Sequence, residues 1–322
     1  MKSSSVVTVR KRPLGKTGLT VTEMGVGTWG LGGESYGPVE EKDAEAVVRR
    51  CLEMGMNLVD TADAYGAGRM EAMLGRILKG KRDVVVVTKG GTDRTTDPPR
   101  KHFDTEYLKA SVGRSLKRLG RDRIDVYLLH NPSLDALGAG ECVAAMEELK
   151  KKGDIAHWGV SAGSDEIARM AIDCGAEVIA LAYNLMQCVD LHRVAGDVMV
   201  NGTGVLVHSV LDYGLLAGTW TKDREFAEGD HRSGRWTKLE LERRVQQVEA
   251  MRFLVKGDVK TLRAAAVRFA LAHTVVSSAI LGPRTVVQAE ELVREAGGAL
   301  RYLPDDAIAA LPHVLTKQGI LS

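Results

Sequence analysis

Short apolar runs alternate with longer amphipathic segments along almost the whole chain. Most of the runs are continuously apolar, which is typical of strands in a parallel sheet that is covered on both faces. The segments between them repeat their apolar positions with helical spacing. The predicted strands cover residues 23–27, 57–60, 84–89, 126–130, 156–161, 178–183, 205–208 and 278–281. The predicted helices cover residues 41–54, 105–119, 140–152, 165–174, 259–273 and 286–296.

This alternation predicts an α/β fold, a closed (β/α)₈ TIM barrel formed as a single domain over residues 1–322. An open doubly wound sheet is the alternative, but the glycines after the first strand lack its GxGxxG spacing. Residues 12–22 predict an N-terminal β-hairpin that closes the bottom of the barrel. Residues 211–238 predict a long polar loop, and residues 304–322 predict one short extra helix and a tail.

Composition narrows the choice of partners. The 44 basic and 42 acidic residues are scattered and give a net charge of +2, so nothing favours nucleic acid or a membrane as a partner. The four cysteines show neither a CxxC pair nor metal-ligand spacing, so reduced thiols and no metal are expected. The first residues carry no apolar signal segment, and no run approaches 18 apolar residues, which favours a cytoplasmic location.

Polar side chains lie at or just past the ends of three successive predicted strands. Asp60, Lys89 and His130 end these strands, and Tyr65 follows Asp60 by five residues. Barrel enzymes keep their chemistry at the carboxyl ends of the strands. Buried charges need partners, so Asp60 and Lys89 are expected to pair.

The four side chains together indicate a reaction. A phenol has an ordinary pKa of about 10, and the nearby Lys89 ammonium is expected to lower the pKa of Tyr65 and ease proton transfer. His130 would supply a second donor that orients and polarises a carbonyl group. The set predicts protonation of a carbonyl oxygen while a second agent delivers hydride to the carbonyl carbon.

At these residues the chain resembles the aldo-keto reductase superfamily, and the resemblance covers nearly the whole sequence. Its motifs follow in the family order: Asp60-Thr61-Ala62-Asp63-Ala64-Tyr65-Gly66 with Glu71 and Leu74-Gly75, then Thr88-Lys89-Gly90, Leu129-His130-Asn131-Pro132, Gly159-Val160-Ser161 and Tyr183-Asn184-Leu185. The resemblance implies a catalytic tetrad of Asp60, Tyr65, Lys89 and His130, with Tyr65 as the proton donor. It further implies NADPH as the cofactor, an aldehyde or ketone as the substrate, and substrate contacts from Trp29, Tyr65 and His130.

The resemblance also implies where the cofactor lies. Arg284 would pair with a 2′-phosphate and so favour NADPH over NADH, while Gln288 and Glu291 would hold the adenine amino group. Residues 229–233 are similar to a loop that clasps the dinucleotide, with Arg232 as its charge contact. The implied cofactor residues are Gly27, Thr28, Trp29, Asp60, Ser161, His208, Ser209, Leu211, Gly214, Arg232, Gly282, Arg284, Gln288 and Glu291.

The nicotinamide end departs from the family pattern at three positions. Ala162 and Ala180 stand where the family usually has the Asn and Gln that hold the carboxamide, and His208 stands where a Tyr or Trp usually stacks on the ring. These departures leave Ser161 alone of the carboxamide-binding trio. We therefore expect the binding of the nicotinamide ring to differ from that usual in the family.

Two further interpretations of the protein's function stay open. A cofactor-binding regulatory protein, similar to potassium-channel β subunits, would use the same barrel without turnover. An aldolase-type barrel would use Lys89 as a Schiff-base nucleophile. The loop at residues 91–103 carries four basic side chains, which are either solvated or placed to favour an anionic carbonyl compound.

Overall fold

The computed structural model describes residues 9–94, 96, 98–297 and 302–321. Eight parallel strands close into a barrel in the order β10-β11-β12-β3-β4-β5-β8-β9. All eight predicted strands are confirmed within two residues at each end. The strands are β1 Lys11–Pro13, β2 Thr20–Thr22, β3 Met24–Gly27, β4 Leu58–Asp60, β5 Val85–Gly90, β6 Thr92–Asp93, β7 Arg100–Lys101, β8 Ile124–His130, β9 Ile155–Ser161, β10 Val178–Ala182, β11 Gly204–His208 and β12 Ser278–Leu281.

Helices surround the barrel and include the six that the sequence predicts. The helices are α1 Glu41–Glu53, α2 Arg69–Ile77, α3 Thr105–Leu119, α4 Leu134–Gly138, α5 Glu141–Lys152, α6 Asp165–Asp173, α7 Val189–Asn201, α8 Lys238–Glu249, α9 Leu262–Ala272, α10 Val286–Ala296 and α11 Asp305–Lys317. Their apolar faces pack on the outer faces of the strands in one continuous core. None of the described helices is long and apolar enough to cross a membrane.

The predicted hairpin closes the bottom of the barrel. β1 and β2 pair antiparallel, and Leu14 and Val21 are fully buried among the inward-facing residues of the barrel strands. The turn fits tightly because Gly15 has a φ of +54°, and a Cβ there would lie 2.3 Å from the backbone nitrogen of Gly204. Glycine is therefore required at this turn on both conformational and steric grounds.

Strand register brings the candidate residues to one end of the barrel. Asp60 stands beside Gly27 on one side and Val87 on the other. His130 stands beside Ser161 on the next strand. Because parallel strands end at the same edge, the side chains at these strand ends share the mouth of the barrel.

Two segments are more ordered than predicted. The loop at residues 211–238 begins with a 3₁₀ turn, Asp212–Ala217, and its far part reaches across the mouth, where His231 N–H donates to the Ser35 carbonyl oxygen at 2.8 Å. The expected short C-terminal helix is the thirteen-residue α11. It docks near α8, where the Gln247 amide donates to the Gln318 carbonyl oxygen at 2.8 Å.

Candidate active site

Asp60 and Lys89 form a buried ion pair at the ends of β4 and β5. The Lys89 ammonium donates to both carboxylate oxygens of Asp60 at 2.7 Å and to the Thr61 carbonyl oxygen at 2.8 Å. Lys89 is only 3% exposed and Asp60 only 7%. The expected pairing is therefore present, and it fixes the ammonium at the barrel mouth.

Electrostatics keep this lysine charged. Burial acts to lower the pKa of Lys89, but the Asp60 carboxylate and the Tyr65 hydroxyl outweigh burial and raise that pKa above its ordinary value. Burial raises the pKa of Asp60 despite the adjacent ammonium. We place Lys89 as a cation at neutral pH because two short contacts with a carboxylate stabilise its charged form.

Tyr65 lies directly against this pair. It begins the 3₁₀ turn Tyr65–Gly68, and its ring centroid is 5.2 Å from the Lys89 ammonium nitrogen. The expected lowering of the Tyr65 pKa is wrong as a net direction. Burial raises that pKa, and the charge and hydrogen bond of Lys89 offset the rise only in part. The desolvation of a phenolate in this enclosed position is larger than the attraction of one ammonium.

His130 completes the group as a neutral imidazole. Its ring meets the ring of Tyr65 edge to face, with centroids 5.9 Å apart. Burial, followed by the positive charge of Lys89, holds the pKa of His130 well below its usual range. Its Nδ1 is buried and has no hydrogen-bond partner among the described residues. A neutral imidazole beside an acid can donate one hydrogen bond to a substrate oxygen without competing for the proton.

Strained backbone also concentrates at this end of the barrel. The non-glycine residues with positive φ are, in the described part of the chain, Ala67, Asn131, Ser209, Asp212 and Tyr213. All five follow the carboxyl ends of barrel strands. Such strain costs on the order of 1–3 kcal/mol per residue and is typical of functional sites.

The geometry agrees with comparisons to known proteins. The model of the aldo/keto reductase family matches residues 23–313. The chain belongs to the aldo/keto reductase family. It is 31% identical over 292 residues to Aldo-keto reductase YhdN of Bacillus subtilis, covering 88% of each chain. It is 30% identical over 331 residues to the NADH-specific methylglyoxal reductase of Escherichia coli, covering 96% of this chain and 99% of that protein.

A solved structure supports the same assignment. The holo form of aldo-keto reductase AKR11C1 from Bacillus halodurans superimposes with a TM-score of 0.80 at 25% identity, covering 95% of this chain and 96% of that one. This aldo/keto reductase is therefore an oxidoreductase that acts on carbonyl or alcohol groups of small molecules with a nicotinamide cofactor.

The residues implied for the adenine end of the cofactor gather at the start of α10. Arg284 donates to the Gly37 carbonyl oxygen at 2.9 Å, while its own backbone N–H donates to the Gln288 side chain at 2.8 Å. Glu291 pairs with Arg263 at 2.8 Å. Gln288 and Glu291 are thus engaged within the protein, and their expected contacts with adenine stay a prediction.

Arg232 is also held within the protein. It forms a bidentate pair with Asp230, with a closest contact of 2.6 Å, and its guanidinium lies 4.7 Å from the Tyr36 ring centroid. Asp230 also makes an isolated antiparallel bridge with Tyr36. The 229–233 loop therefore contacts the segment after β3, and its expected clasp over a dinucleotide stays a prediction.

The residues that the resemblance implies for the nicotinamide end are buried or hydrogen-bonded within the protein. Ala162 and Ala180 are buried. Ser161 donates to the Asn131 side chain at 3.3 Å, and Nδ1 of His208 lies 3.1 Å from the Ser209 hydroxyl. Burial lowers the pKa of His208 to about 4, so its ring is neutral near pH 7. A neutral imidazole can present a flat face to an aromatic ring, as the replaced residue type would.

Two roles were not predicted from the sequence. Arg94 and Lys101 belong to the basic loop that the sequence leaves either solvated or placed for an anionic substrate. Both tie that loop to the mouth, since Arg94 donates to the Ala64 carbonyl oxygen at 2.9 Å and Lys101 to the His130 carbonyl oxygen at 2.7 Å. Arg94 follows β6 and Lys101 lies in β7, which pair antiparallel. Strands of two residues are too short to show an alternating pattern in the sequence, so the sequence gives no sign of this pairing.

Proposed function

We propose that this aldo/keto reductase is an NADPH-dependent reductase that converts an aldehyde or ketone to an alcohol, with Tyr65 donating the proton. The buried Asp60–Lys89 pair, with the Tyr65 ring against its ammonium, is the observation that carries the proposal. Together these groups form a proton donor next to a fixed positive charge.

Each residue has a distinct part in the proposed step. Tyr65 holds its proton at neutral pH because its pKa is raised, and it transfers that proton to the carbonyl oxygen as negative charge develops there. The Lys89 cation stabilises the phenolate that remains. His130 orients the carbonyl oxygen through a hydrogen bond. A nicotinamide cofactor, when bound, would supply the hydride for the carbonyl carbon.

The residues around the mouth fit such a cofactor. A Cβ at Gly282 would meet nothing within 4 Å, so space is open in front of the first turn of α10. A helix N-terminus offers free N–H groups to phosphate, and barrels often hold phosphate after their last two strands. The Nε atom of Arg284 is buried without a hydrogen-bond partner among the described residues. An anion beside Arg284 would satisfy this donor.

Arg284 supports NADPH rather than NADH. Burial lowers the pKa of Arg284, so a dianionic phosphate beside it would stabilise its charge. One relative is described as NADH-specific, so the cofactor preference of this chain rests on its own residues.

The Schiff-base alternative fits the geometry poorly. A nucleophilic lysine must be neutral, but the ammonium of Lys89 makes three short contacts and its pKa is raised. A regulatory role remains the second candidate, and the altered residues Ala162, Ala180 and His208 favour it. It predicts cofactor binding without turnover.

A panel of aldehydes, ketones and sugar phosphates tests the proposal, with oxidation of NADPH and NADH followed by absorbance. Reduction of at least one carbonyl compound by the wild type, and none by Lys89→Met, would support it. Tight binding of NADPH without oxidation by any carbonyl compound would favour the regulatory role. Trapping of substrate by borohydride would favour the Schiff-base mechanism.

A further inference from the structure

A second carboxylate lies beside the tetrad, in the turn between Asp60 and Tyr65. Asp63 links the two catalytic loops because its backbone N–H donates to the Lys89 carbonyl oxygen at 3.0 Å. Its side chain turns to α3, where Ser111 donates to Oδ2 at 2.7 Å. Tyr127 of β8 in turn donates to the Ser111 hydroxyl at 3.0 Å. Asp63 therefore ends a buried chain of hydroxyl groups that runs toward the active site.

This carboxylate is poorly compensated. Its Oδ1 is buried and has no hydrogen-bond partner among the described residues, so a single hydroxyl holds the whole group. Arg118 is near, but it pairs with the fully buried Glu71 at 2.8 Å. The other titratable and charged groups that act on Asp63, or on which it acts, are Tyr65, Lys101, Tyr107, Arg114 and Tyr127.

We propose that Asp63 is a positioning residue that acts through Tyr65: its partly buried carboxylate, together with that of Asp60, repels negative charge on the phenol and so raises the upper pH limit of proton donation. The geometry explains how it does so. Asp63 is two residues from Tyr65 in the same turn. Its side chain is partly buried, and both Ser111, which donates to it, and Tyr127 are fully buried, so water screens the charge of Asp63 less than it would at the surface.

The ionisation of Asp63 supports this assignment. Burial raises the pKa of Asp63 to about 6, and the Ser111 hydrogen bond opposes that rise. The carboxylate is thus charged above about pH 6, throughout the range in which Tyr65 loses its proton. Its charge raises the pKa of Tyr65 and adds to the effect of burial. Lys89 acts on the pKa of Tyr65 with the opposite sign, whereas Asp60 acts with the same sign as Asp63.

The test compares pH profiles of kcat/KM for carbonyl reduction in the wild type, Asp63→Asn and Ser111→Ala. Asparagine keeps the shape but removes the charge, so the alkaline limb should move to lower pH by about half a unit or more. Ser111→Ala disturbs the same packing but leaves Asp63 charged at alkaline pH, so its limb should stay in place. Coincident alkaline limbs for wild type and Asp63→Asn would overturn the proposal, as would equal shifts in both variants.

A second measurement does not depend on turnover. Carboxyl carbon NMR of the wild-type protein, with the Asp63 signal assigned from its displacement in Ser111→Ala, should show titration near pH 6. A carboxyl that stays protonated up to pH 9, and so approaches the range in which Tyr65 ionises without a charge, would overturn the proposal. The inference rests on the proposed role of Tyr65. An active Tyr65→Phe variant would reject that role, whereas an inactive Tyr65→Phe with an unshifted Asp63→Asn profile would reject only the role of Asp63.

Discussion

Replacing Asp60 with asparagine would leave the Lys89 ammonium buried without its counter-charge. Lys89 is only 3% exposed, and two of its three short contacts end on the Asp60 carboxylate. Breaking a buried ion pair by removing one partner costs about 3–5 kcal/mol. The introduced asparagine side chain would still accept one hydrogen bond from Lys89, so we expect a loss near the lower end, about 3 kcal/mol in the free energy of unfolding.

The pH dependence of this loss has a definite sign. In the wild type the pKa of Lys89 is raised, so its stabilisation is complete below the unfolded pKa and is lost only as pH rises beyond it. In Asp60→Asn, burial would instead lower the pKa of Lys89 below its unfolded value. Between these two pKa values the unfolded chain would bind more protons than the folded protein. The deficit of the variant should therefore shrink as pH rises toward about 10.4, the ordinary lysine value.

Urea unfolding followed by circular dichroism from pH 7 to 10 measures both effects. Asp60→Asn/Lys89→Met serves as the control, because removing both charges should cost less than the sum of the single substitutions. A deficit below about 1 kcal/mol at pH 7, or one that does not change with pH, would refute the reasoning.

Two further predictions concern the cofactor and the packing behind the site. Arg284→Ala should raise the KM for NADPH by about 10- to 100-fold, because one or two charge-assisted hydrogen bonds are lost, and should change the KM for NADH little. Arg294→Ala, on the helix α10 that follows Arg284, is the control, and equal effects on both cofactors would remove the 2′-phosphate assignment. Gly90→Ala should destabilise the protein by about 2 kcal/mol or more, because its Cβ would lie 1.9 Å from the Tyr127 hydroxyl. Gly113→Ala on α3, where a Cβ meets nothing within 4 Å, should instead stabilise by about 0.5–1 kcal/mol in the same thermal-unfolding assay.

The barrel was predictable because each of its strands is covered on both faces. A strand such as β11 is apolar at nearly every position and bounded by polar residues, so its existence does not depend on fine detail of packing. α8 was not predicted from the sequence, although a recognisable capping motif marks its first turn. Thr237 and Glu240 form a capping box, but the charged face that follows obscured the apolar one.

The candidate site was predictable as a set of residues but not as an electrostatic balance. The motif shows that Lys89 lies near Tyr65. The effect of burial on the pKa of Tyr65, which is larger than the effect of Lys89, depends on loops that are distant in the sequence. The same applies to Arg232 and Glu291. Their charges are evident from the sequence. Their ion-pair partners, Asp230 for Arg232 and Arg263 for Glu291, are known only from the structure.

The central claim is that Tyr65 donates the proton, and one comparison tests it most directly. NADPH binding, followed by quenching of protein fluorescence, and kcat/KM for carbonyl reduction would be measured for the wild type and Tyr65→Phe. Tyr302→Phe is the control because Tyr302 bonds Glu23 at the opposite end of the barrel. We predict that Tyr65→Phe binds NADPH within about threefold of the wild type and loses roughly 10²- to 10⁴-fold in kcat/KM. A Tyr65→Phe variant that binds NADPH normally and reduces the substrate at the wild-type rate would contradict the account.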